Sequence, residues 1–428
     1  MIARRLQLPL TSRTLLWRHP RPQERPHART FSAPTLPYAP PHRSAAPGRQ
    51  RVSETYDYTY GIEEEYFLVR PGAHGLATRV PAALLKQARR ELGDSVANEM
   101  LQSQIEISTP ILRDAVQAQR NLTDLRAGLS QVASRFELGL VASGTHPLGV
   151  WREQERSPPS RYRRMMEDFQ IVARRSLVCG LHVHVQLPPG VDRVRVMNRV
   201  MPWLPLFLAL STSSPFWNRS RTGLLSYRQA VYDEWPRTGI PDFYADEAEY
   251  DALAALLTRV NAINDARSLW WGIRPSPRFP TLELRIADCC TRVGDALAIA
   301  ALYRCLLRYL VRTPQDDPPR SALTRRVIDE NRWRAKRFGT EAKFFDESGA
   351  EPEPLPQALA RLRALCADDI RALDSADALA PLDAILANGS SAHMQLALYR
   401  EQRERGLGRI ESLDAVVDWL RAATIAVD

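Results

Sequence analysis

Strict alternation of apolar and polar residues is the feature that most constrains how this chain can fold. It is clearest from Val178 to Leu187, where the sequence reads Val-Cys-Gly-Leu-His-Val-His-Val-Gln-Leu. Residues 55–70, 100–108 and 280–289 show related patterns, which predict strands because successive side chains in a strand point to opposite faces. Alternation also favours an antiparallel sheet with one face packed on helices and the other face polar.

The segments between these strands predict helices, so the expected fold class is α+β. A shorter apolar strand is expected at residues 138–143. Residues 213–245, rich in aromatic residues and arginine, are expected to be irregular. Helical periodicity occurs in residues 81–92, 114–136, 162–176, 192–212, 246–265, 295–312 and from 355 onward.

The positive charge of the chain is concentrated in residues 1–51. The formal net charge is +9 over 428 residues. Residues 1–51 hold ten arginines and a single acid, Glu24, so they account for all of that charge. The remainder is balanced, which gives no support for nucleic-acid binding by the folded part. We expect residues 1–51 to be a disordered, basic, Pro-rich tail and residues 52–428 to form a single domain with a helical C-terminal part.

Three interpretations of residues 1–51 stay open: a transit peptide, a solvated extension, or a start site placed too far upstream. Dense proline disfavours the amphipathic helix of a mitochondrial peptide, so organelle targeting is the less favoured. Five cysteines without regular spacing indicate a reducing compartment. No apolar run is long enough to span a membrane. We therefore expect a cytoplasmic, bacterial protein with neither membrane nor nucleic acid as a partner.

The polar positions of the four alternating segments carry groups that would meet on one face of the sheet. Two carboxylates ~4 Å apart repel by about 4 kcal/mol at an effective dielectric of 20, so several on one face require cations among them. Oxygen ligands select Mg²⁺ or Mn²⁺, and Arg285 can hold a phosphate bidentately. The pattern indicates a face that binds metal and nucleotide, opposite an apolar face. Its residues are Glu63 and Glu65; Gln102, Gln104 and Glu106; His182 and His184; Glu283 and Arg285.

Simpler interpretations of each motif stay open. No third zinc ligand follows from the spacing of the histidines. Neither a P-loop nor a Gly-x-Gly-x-x-Gly motif occurs, so nucleotide sites of those kinds are unsupported. The repetition of the pattern in four strands is what favours a functional face. Taken singly, Glu63 to Glu65 would be explained by a solvated strand edge. His182 with His184 would be explained by a zinc pair, and Glu283 with Arg285 by a cross-strand ion pair.

Six motifs occur in order: Gly61-Ile-Glu-Glu-Glu-Tyr, Gln102-Ser-Gln-Ile-Glu-Ile-Ser-Thr-Pro, Gly144-Thr-His-Pro, Gly180-Leu-His-Val-His, Ser214-Pro-Phe-Trp and Thr281-Leu-Glu-Leu-Arg. Together they resemble the carboxylate–amine ligases of the glutamate–cysteine ligase type 2 family, from about residue 55 to 428. The resemblance implies a glutamine synthetase-like fold, in which an antiparallel sheet forms an open funnel. One face of that sheet would be lined with ligands for metal and ATP, and helices would pack on the other face.

The resemblance also implies roles for individual residues. Arg285 and His184 would bind the nucleotide, and Arg285 and Glu63 would be catalytic. Arg228, Arg221 and His146 would bind substrate. The implied metal ligands are Glu63, Glu65, Glu99, Glu106, His182 and Glu283.

The implied reaction is ATP-dependent formation of an amide between the γ-carboxylate of L-glutamate and L-cysteine. It would pass through an acyl phosphate and give ADP and phosphate, with an activity that can be weak. Mg²⁺ or Mn²⁺ would be the cofactor, ATP a co-substrate, small molecules the partners, and a homodimer the expected assembly. Three other functions stay open: a phosphotransferase of the same superfamily acting on a guanidino group, a zinc hydrolase using His182 and His184, and a non-catalytic nucleotide binder.

Overall fold

The computed structural model describes residues 56–70, 72, 74–157, 160–314 and 321–426. Val52–Asp428 forms one compact unit. The expectations for residues 1–51 fall outside the described residues and stay predictions. In the described ranges, no helix is both long and apolar enough to cross a membrane.

An antiparallel sheet forms the centre of this unit. Its strands lie in the order β2-β3-β1-β5-β9-β8, and β4 pairs with the end of β1. The sheet is open rather than closed, as predicted. The strand pairs β6–β7 and β10–β11 form two separate two-stranded sheets. The strands are β1 (Tyr60–Val69), β2 (Val96–Asn98), β3 (Gln104–Ser108), β4 (Gly139–Val141), β5 (Leu181–Gln186), β6 (Phe216–Trp217), β7 (Ser220–Arg221), β8 (Ile273–Pro275), β9 (Thr281–Leu284), β10 (Lys343–Phe344) and β11 (Glu353–Pro354).

Helices account for most of the rest of the described chain, which confirms the α+β class. They are α1 (Ala82–Leu92), α2 (Ala115–Ser134), α3 (Ser160–Phe169), α4 (Ile171–Arg174), α5 (Arg193–Val200), α6 (Leu204–Ser211), α7 (Tyr227–Tyr232), α8 (Glu247–Arg259), α9 (Val293–Arg312), α10 (Ala322–Phe338), α11 (Leu355–Leu365), α12 (Ala367–Ala372), α13 (Pro381–Asn388), α14 (Ser391–Glu404) and α15 (Arg409–Ile425).

The apolar positions of the alternating strands form the core face of the sheet. Ile62 of β1 lies opposite Val183 of β5, which in turn lies opposite Leu284 of β9, and all three side chains are buried. Helix α9 covers this face: it is buried along most of its length, and its Tyr303 hydroxyl donates to the carbonyl of Leu282 at 3.3 Å. Burying each such aliphatic side chain contributes about 1.5–3 kcal/mol, so this packing fixes which strand face remains for the site.

Glu64 departs from the expectation of an entirely apolar core face. Its side chain is fully buried and pairs bidentately with Arg126 of α2, at 2.9 Å from Nε and 2.6 Å from a terminal nitrogen. The Tyr66 hydroxyl donates to the same carboxylate. A solvated strand edge is therefore the wrong interpretation for Glu64. Arg126 also donates to the carbonyls of Cys290, Thr291 and Thr424.

Two predicted helices are interrupted. Residues 192–212 form α5, a short 3₁₀ turn at Met201–Trp203 and then α6, because Pro202 cannot donate a helical hydrogen bond and clashes with the preceding turn. The helix predicted at 162–176 divides into α3 and α4 at Gln170, whose φ is 50°.

The strand predicted at 100–108 begins only at Gln104, so Gln102 lies in a turn outside the sheet. Strands β2 and β8 were not predicted. Residues 213–245, expected to be irregular, contain the β6–β7 hairpin and α7. The strand predicted at 280–289 ends at Leu284, so Arg285 lies just beyond the sheet.

Candidate active site

Three glutamates meet on the polar face near β3. Glu65 of β1 lies directly opposite Glu106 of β3, and Glu99 follows β2, which pairs with β3. One carboxylate oxygen from each lies within 4.8 Å of the others, and all three residues are half-buried. We call Glu65, Glu99 and Glu106 the triglutamate cluster.

Like charges dominate the triglutamate cluster. Burial and the carboxylate of Glu99 raise the pKa of Glu106 well above its usual range. The same two causes raise the pKa of Glu65 to about 7, although the Gly180 N–H donates to its Oε2 at 2.6 Å. The guanidinium groups of Arg228 and Arg285 lower the pKa of Glu65, but they do not offset burial and Glu99.

A second group lies beside the first on the same face. Nε2 of His184 is 3.5 Å from Oε1 of Glu63 and 3.8 Å from Oε1 of Glu283. These three residues also have ligand atoms within 4.8 Å of one another. We call Glu63, His184 and Glu283 the mixed cluster.

The mixed cluster is rich in cations. Nε of Arg274, which lies opposite Glu283 on β8, donates to Oε2 of Glu283 at 2.8 Å, and Arg285 donates to its other oxygen. Burial alone would raise the pKa of Glu283, but Arg285 and Arg274 hold it well below its usual range. A terminal nitrogen of Arg285 also lies 3.2 Å from the Tyr232 hydroxyl.

The two histidines of β5 have different environments. Nδ1 of His182 lies 3.3 Å from Oε2 of Glu63, and its buried Nε2 has no hydrogen-bond partner among the described residues. Burial and Arg285 lower the pKa of His182 to about 4. Burial opposes protonation of His184 too, but Glu63 and Glu283 raise its pKa above the ordinary value. The low pKa of His182 suits the neutral imidazole that a metal ligand must be, whereas Glu63 and Glu283 stabilise the protonated form of His184.

Arg228 lies close to the polar face, and its binding of substrate stays a prediction. It is buried in α7, and its terminal nitrogens lie 3.4 and 3.5 Å from the carbonyl of Arg285. A Cβ on Gly180, just before β5, would come within 2.2 Å of a terminal nitrogen of this guanidinium, so any other residue there would force the Arg228 side chain to move. Nε of Arg228 is buried without a partner among the described residues.

Arg221 and His146 are not joined to either cluster by a described contact. Arg221 is exposed in the β6–β7 hairpin. His146 is buried, its Nδ1 accepts from the Leu148 N–H at 3.3 Å, and its ring packs against Phe67 with centroids 5.8 Å apart. Burial lowers the pKa of His146 to about 3. Substrate binding by these two residues stays a prediction.

Asp288 connects three motifs that the sequence analysis had treated separately. Its buried carboxylate accepts from the Ser214 hydroxyl at 2.6 Å and the Ser226 hydroxyl at 2.8 Å. Ser214 Oγ in turn accepts from the backbone N–H of Arg228 at 3.0 Å. A Cβ on Gly144 would meet Asp288 at 2.8 Å. Asp288 therefore positions the helix turn that carries Arg228.

Arg274, Tyr232 and Asp288 were missed by the sequence analysis. The signal for Arg274 was its position between Ile273 and Pro275, an apolar–polar–apolar pattern of three residues, which is too short to predict a strand. Asp288 lies in a loop after β9 and Tyr232 ends the short helix α7, so neither residue belongs to a segment long enough to show a periodic pattern.

Both clusters suit divalent cations. A set of glutamate oxygens is the donor set that Mg²⁺ and Mn²⁺ prefer, and a cation would relieve the repulsion among the three carboxylates of the triglutamate cluster. At the mixed cluster, the unpartnered Nε2 of His182 supplies a further nitrogen ligand beside Glu63. The residues present thus fit the predicted metal sites.

Two solved structures share this fold. A glutamate–cysteine ligase from Francisella tularensis in complex with AMP superposes with a TM-score of 0.62 at 13% identity, over 87% of this chain and 91% of that one. A bifunctional glutathione synthetase from Pasteurella multocida gives 0.61 at 13% identity, over 86% of this chain and 52% of that one. These likenesses confirm the predicted fold class, a glutamine synthetase-like α+β fold with an open antiparallel sheet.

The family follows from sequence. The model of glutamate-cysteine ligase family 2 (GCS2) matches residues 59–412. Proteins named "Putative glutamate--cysteine ligase 2" are 46% identical over 375 residues in Ectopseudomonas mendocina, covering 86% of this chain and 97% of the relative, and 41% identical over 382 residues in Bradyrhizobium diazoefficiens, covering 89% and 87%. The chain belongs to glutamate–cysteine ligase family 2. This membership confirms the prediction of an ATP-dependent enzyme that forms a carbon–nitrogen bond.

Proposed function

We propose that this protein joins the γ-carboxylate of L-glutamate to the amine of L-cysteine at the expense of ATP. The observation that supports the proposal is the placement of the triglutamate cluster and the mixed cluster side by side on the polar face, with Arg285 and Arg228 close by. Names of relatives that share 41–46% of the sequence support the two substrates.

The proposed reaction has two steps. A γ-carboxylate oxygen of glutamate attacks the γ-phosphorus of ATP, the bond to the bridging oxygen breaks, and ADP leaves with an acyl phosphate formed. The amine nitrogen of cysteine then attacks the acyl carbon, phosphate leaves, and the nitrogen loses a proton. Phosphoryl transfer of this kind depends on positioning and on electrostatic stabilisation.

The triglutamate cluster, and two members of the mixed cluster together with His182, have a part in this scheme. Glu65, Glu99 and Glu106 would hold one Mg²⁺ or Mn²⁺, and Glu63, His182 and Glu283 a second. Bound there, the metals neutralise charge on the transferring phosphoryl group.

Three cationic side chains complete the proposed scheme. His184, whose Nδ1 lies 3.0 Å from the Thr281 hydroxyl, would donate to a phosphate. Arg285 would bind the same phosphates, because its buried Nε has no partner among the described residues. Arg228, with an unpartnered Nε as well, would bind a carboxylate or phosphate.

No observation favours the alternatives. A phosphotransferase acting on a guanidino group should carry a reactive cysteine in an exposed loop, and all five cysteines are buried. A zinc hydrolase needs an open site with three protein ligands. The relatives that match this chain are named as ligases, which favours a ligase over a zinc hydrolase.

The first test is ADP release by the full chain with ATP, Mg²⁺ and L-glutamate, with and without L-cysteine. We expect cysteine-dependent release, γ-glutamylcysteine detectable by mass spectrometry, and loss of both in Glu106→Ala. The matched control is Glu91→Ala, because Glu91 is an exposed glutamate paired with Arg135. Folded protein that binds ATP with Mg²⁺ yet releases no ADP would refute the substrate assignment.

The acyl phosphate is tested separately with L-glutamate labelled with ¹⁸O in its γ-carboxylate. Attack of a carboxylate oxygen on phosphorus transfers one ¹⁸O to the released phosphate. Product formation without label in the phosphate would exclude this intermediate.

A further inference from the structure

Phe279 is an exposed aromatic residue at the rim of the polar face. It lies in the loop between β8 and β9, and 56% of its surface is accessible to solvent. Its ring stands perpendicular to the His184 ring, with centroids 6.3 Å apart. His184 belongs to the mixed cluster, so Phe279 is the next ring outward from the groups proposed to bind phosphate.

The backbone of the loop that carries Phe279 is held by hydrogen bonds from α5. Arg193 of α5 donates to the carbonyls of Ser276 and Phe279 at 2.9 and 3.0 Å. Arg193 is itself held by Glu247 at 2.9 Å. Ser276 Oγ accepts from the Phe279 N–H at 3.3 Å. A rigid loop presents the ring without a further loss of entropy on binding.

This arrangement differs from that of the aromatic residues nearby. Trp271 and Tyr250 lie in the core with their rings 5.7 Å apart, and they account for stability. A single exposed aromatic side chain is common. Exposure on an anchored loop, beside a histidine of the proposed phosphate site, is the combination that indicates a ligand.

We propose that Phe279 is the platform on which the purine base of the nucleotide stacks. The inference rests on the proposed function: with the phosphates at the mixed cluster and His184, the base lies at the other end of the nucleotide, outward along the line from His184 to Phe279. Stacking on an aromatic face is tolerant of base identity, so Phe279 contributes affinity for ATP and GTP alike.

The test is equilibrium binding to the full chain by calorimetry, in Mg²⁺, of the β,γ-imido analogue of ATP and of inorganic tripolyphosphate. Stacking contributes enough for Phe279→Ala to weaken binding of the ATP analogue by about 5–100-fold. Tripolyphosphate binding should be unchanged, because it has no base. Phe279→Trp should retain the affinity. Phe338→Ala, another exposed phenylalanine, is the matched control.

The outcomes separate the two proposals. Wild-type protein that binds neither nucleotide nor tripolyphosphate would overturn the proposed function and this inference with it. Equal binding of the ATP analogue by Phe279→Ala and wild type would overturn the inference alone. A rise in the KM for the amine or acid, with nucleotide binding unchanged, would also overturn it by assigning Phe279 to another substrate.

Discussion

The triglutamate cluster and the mixed cluster begin two residues apart on one strand, at Glu65 and Glu63, yet their surroundings are opposite. Glu65 faces two further carboxylates, and burial and Glu99 raise its pKa to about 7. Glu63 lies within 3.5 Å of His182 and His184, and these imidazoles outweigh burial and hold its pKa well below the usual range.

The difference indicates what each cluster lacks. In the triglutamate cluster, Arg228 and Arg285 do not offset the effect of burial and of Glu99 on Glu65, so a bound metal would supply the missing positive charge. In the mixed cluster, Glu283 is paired with Arg274 and Arg285, so a metal there has less negative charge to balance, and the arginines can attract the anionic phosphates of a nucleotide. Four variants or conditions test this contrast.

Glu283→Gln should have the largest effect. It leaves Arg274 and Arg285 beside a neutral side chain in a buried site, which costs about 3 kcal/mol of unfolding free energy. Urea unfolding of EDTA-treated protein measures this loss, with Glu91→Gln as the control. An unchanged unfolding free energy would show that the two arginines do not depend on Glu283.

Asp288→Asn should have a smaller effect, on both stability and binding. The amide cannot accept from all the donors that Asp288 accepts from, so we expect a loss of about 1–3 kcal/mol. Because Ser214 positions the Arg228 N–H, the KM for glutamate should rise by about tenfold, that is by about 1.4 kcal/mol. Steady-state kinetics measure it against Asp124→Asn, an exposed aspartate. A stability loss with unaltered KM would make Asp288 structural only.

Glu106→Gln should act in the opposite direction to Glu283→Gln. Removing one of three mutually repelling carboxylates should stabilise the metal-free protein by about 1 kcal/mol, while abolishing stabilisation by added Mg²⁺. Thermal unfolding with EDTA and with Mg²⁺ gives both quantities. If Glu106→Gln destabilises the EDTA-treated protein as Glu283→Gln does, the contrast between the clusters fails.

The smallest effect is a pH dependence of the metal-free protein. The pKa of Glu65 is raised in the folded protein to about 7 from an ordinary value of 4.5. Its contribution is therefore present below pH 4.5 and lost as pH rises through 7. We expect Glu65→Gln to reduce the fall in unfolding free energy between pH 5 and pH 7.5 in EDTA. The same fall in both proteins would assign it to other groups.

Much of the polar face was predictable because its strands alternate. Alternation placed Glu63 with Glu65, and His182 with His184, without knowledge of the register. The register itself, which sets Glu65 opposite Glu106, depends on the order of strands and could not be derived from one strand at a time. Glu99 follows a three-residue strand and was predicted only from the resemblance.

The rest depended on tertiary contacts. Glu64 occupies an apolar position of its strand, and only the arrival of Arg126 from α2 makes its burial tolerable. Arg274 lies on a strand too short for a pattern. Asp288 follows the point where the chain leaves the sheet, and its serine partners come from loops. Such partners come from distant segments of the chain, so they cannot be predicted from the local sequence.

The bonds of Arg126 have a consequence for the time course of folding. This side chain pairs with Glu64 of β1 and also donates to the carbonyl of Thr424, which lies 298 residues after Arg126 in the chain. During synthesis, β1 leaves the ribosome long before α15 exists. Loop closure over such a separation slows folding, so we expect α15 to dock against Arg126 only after almost the whole chain has been synthesised.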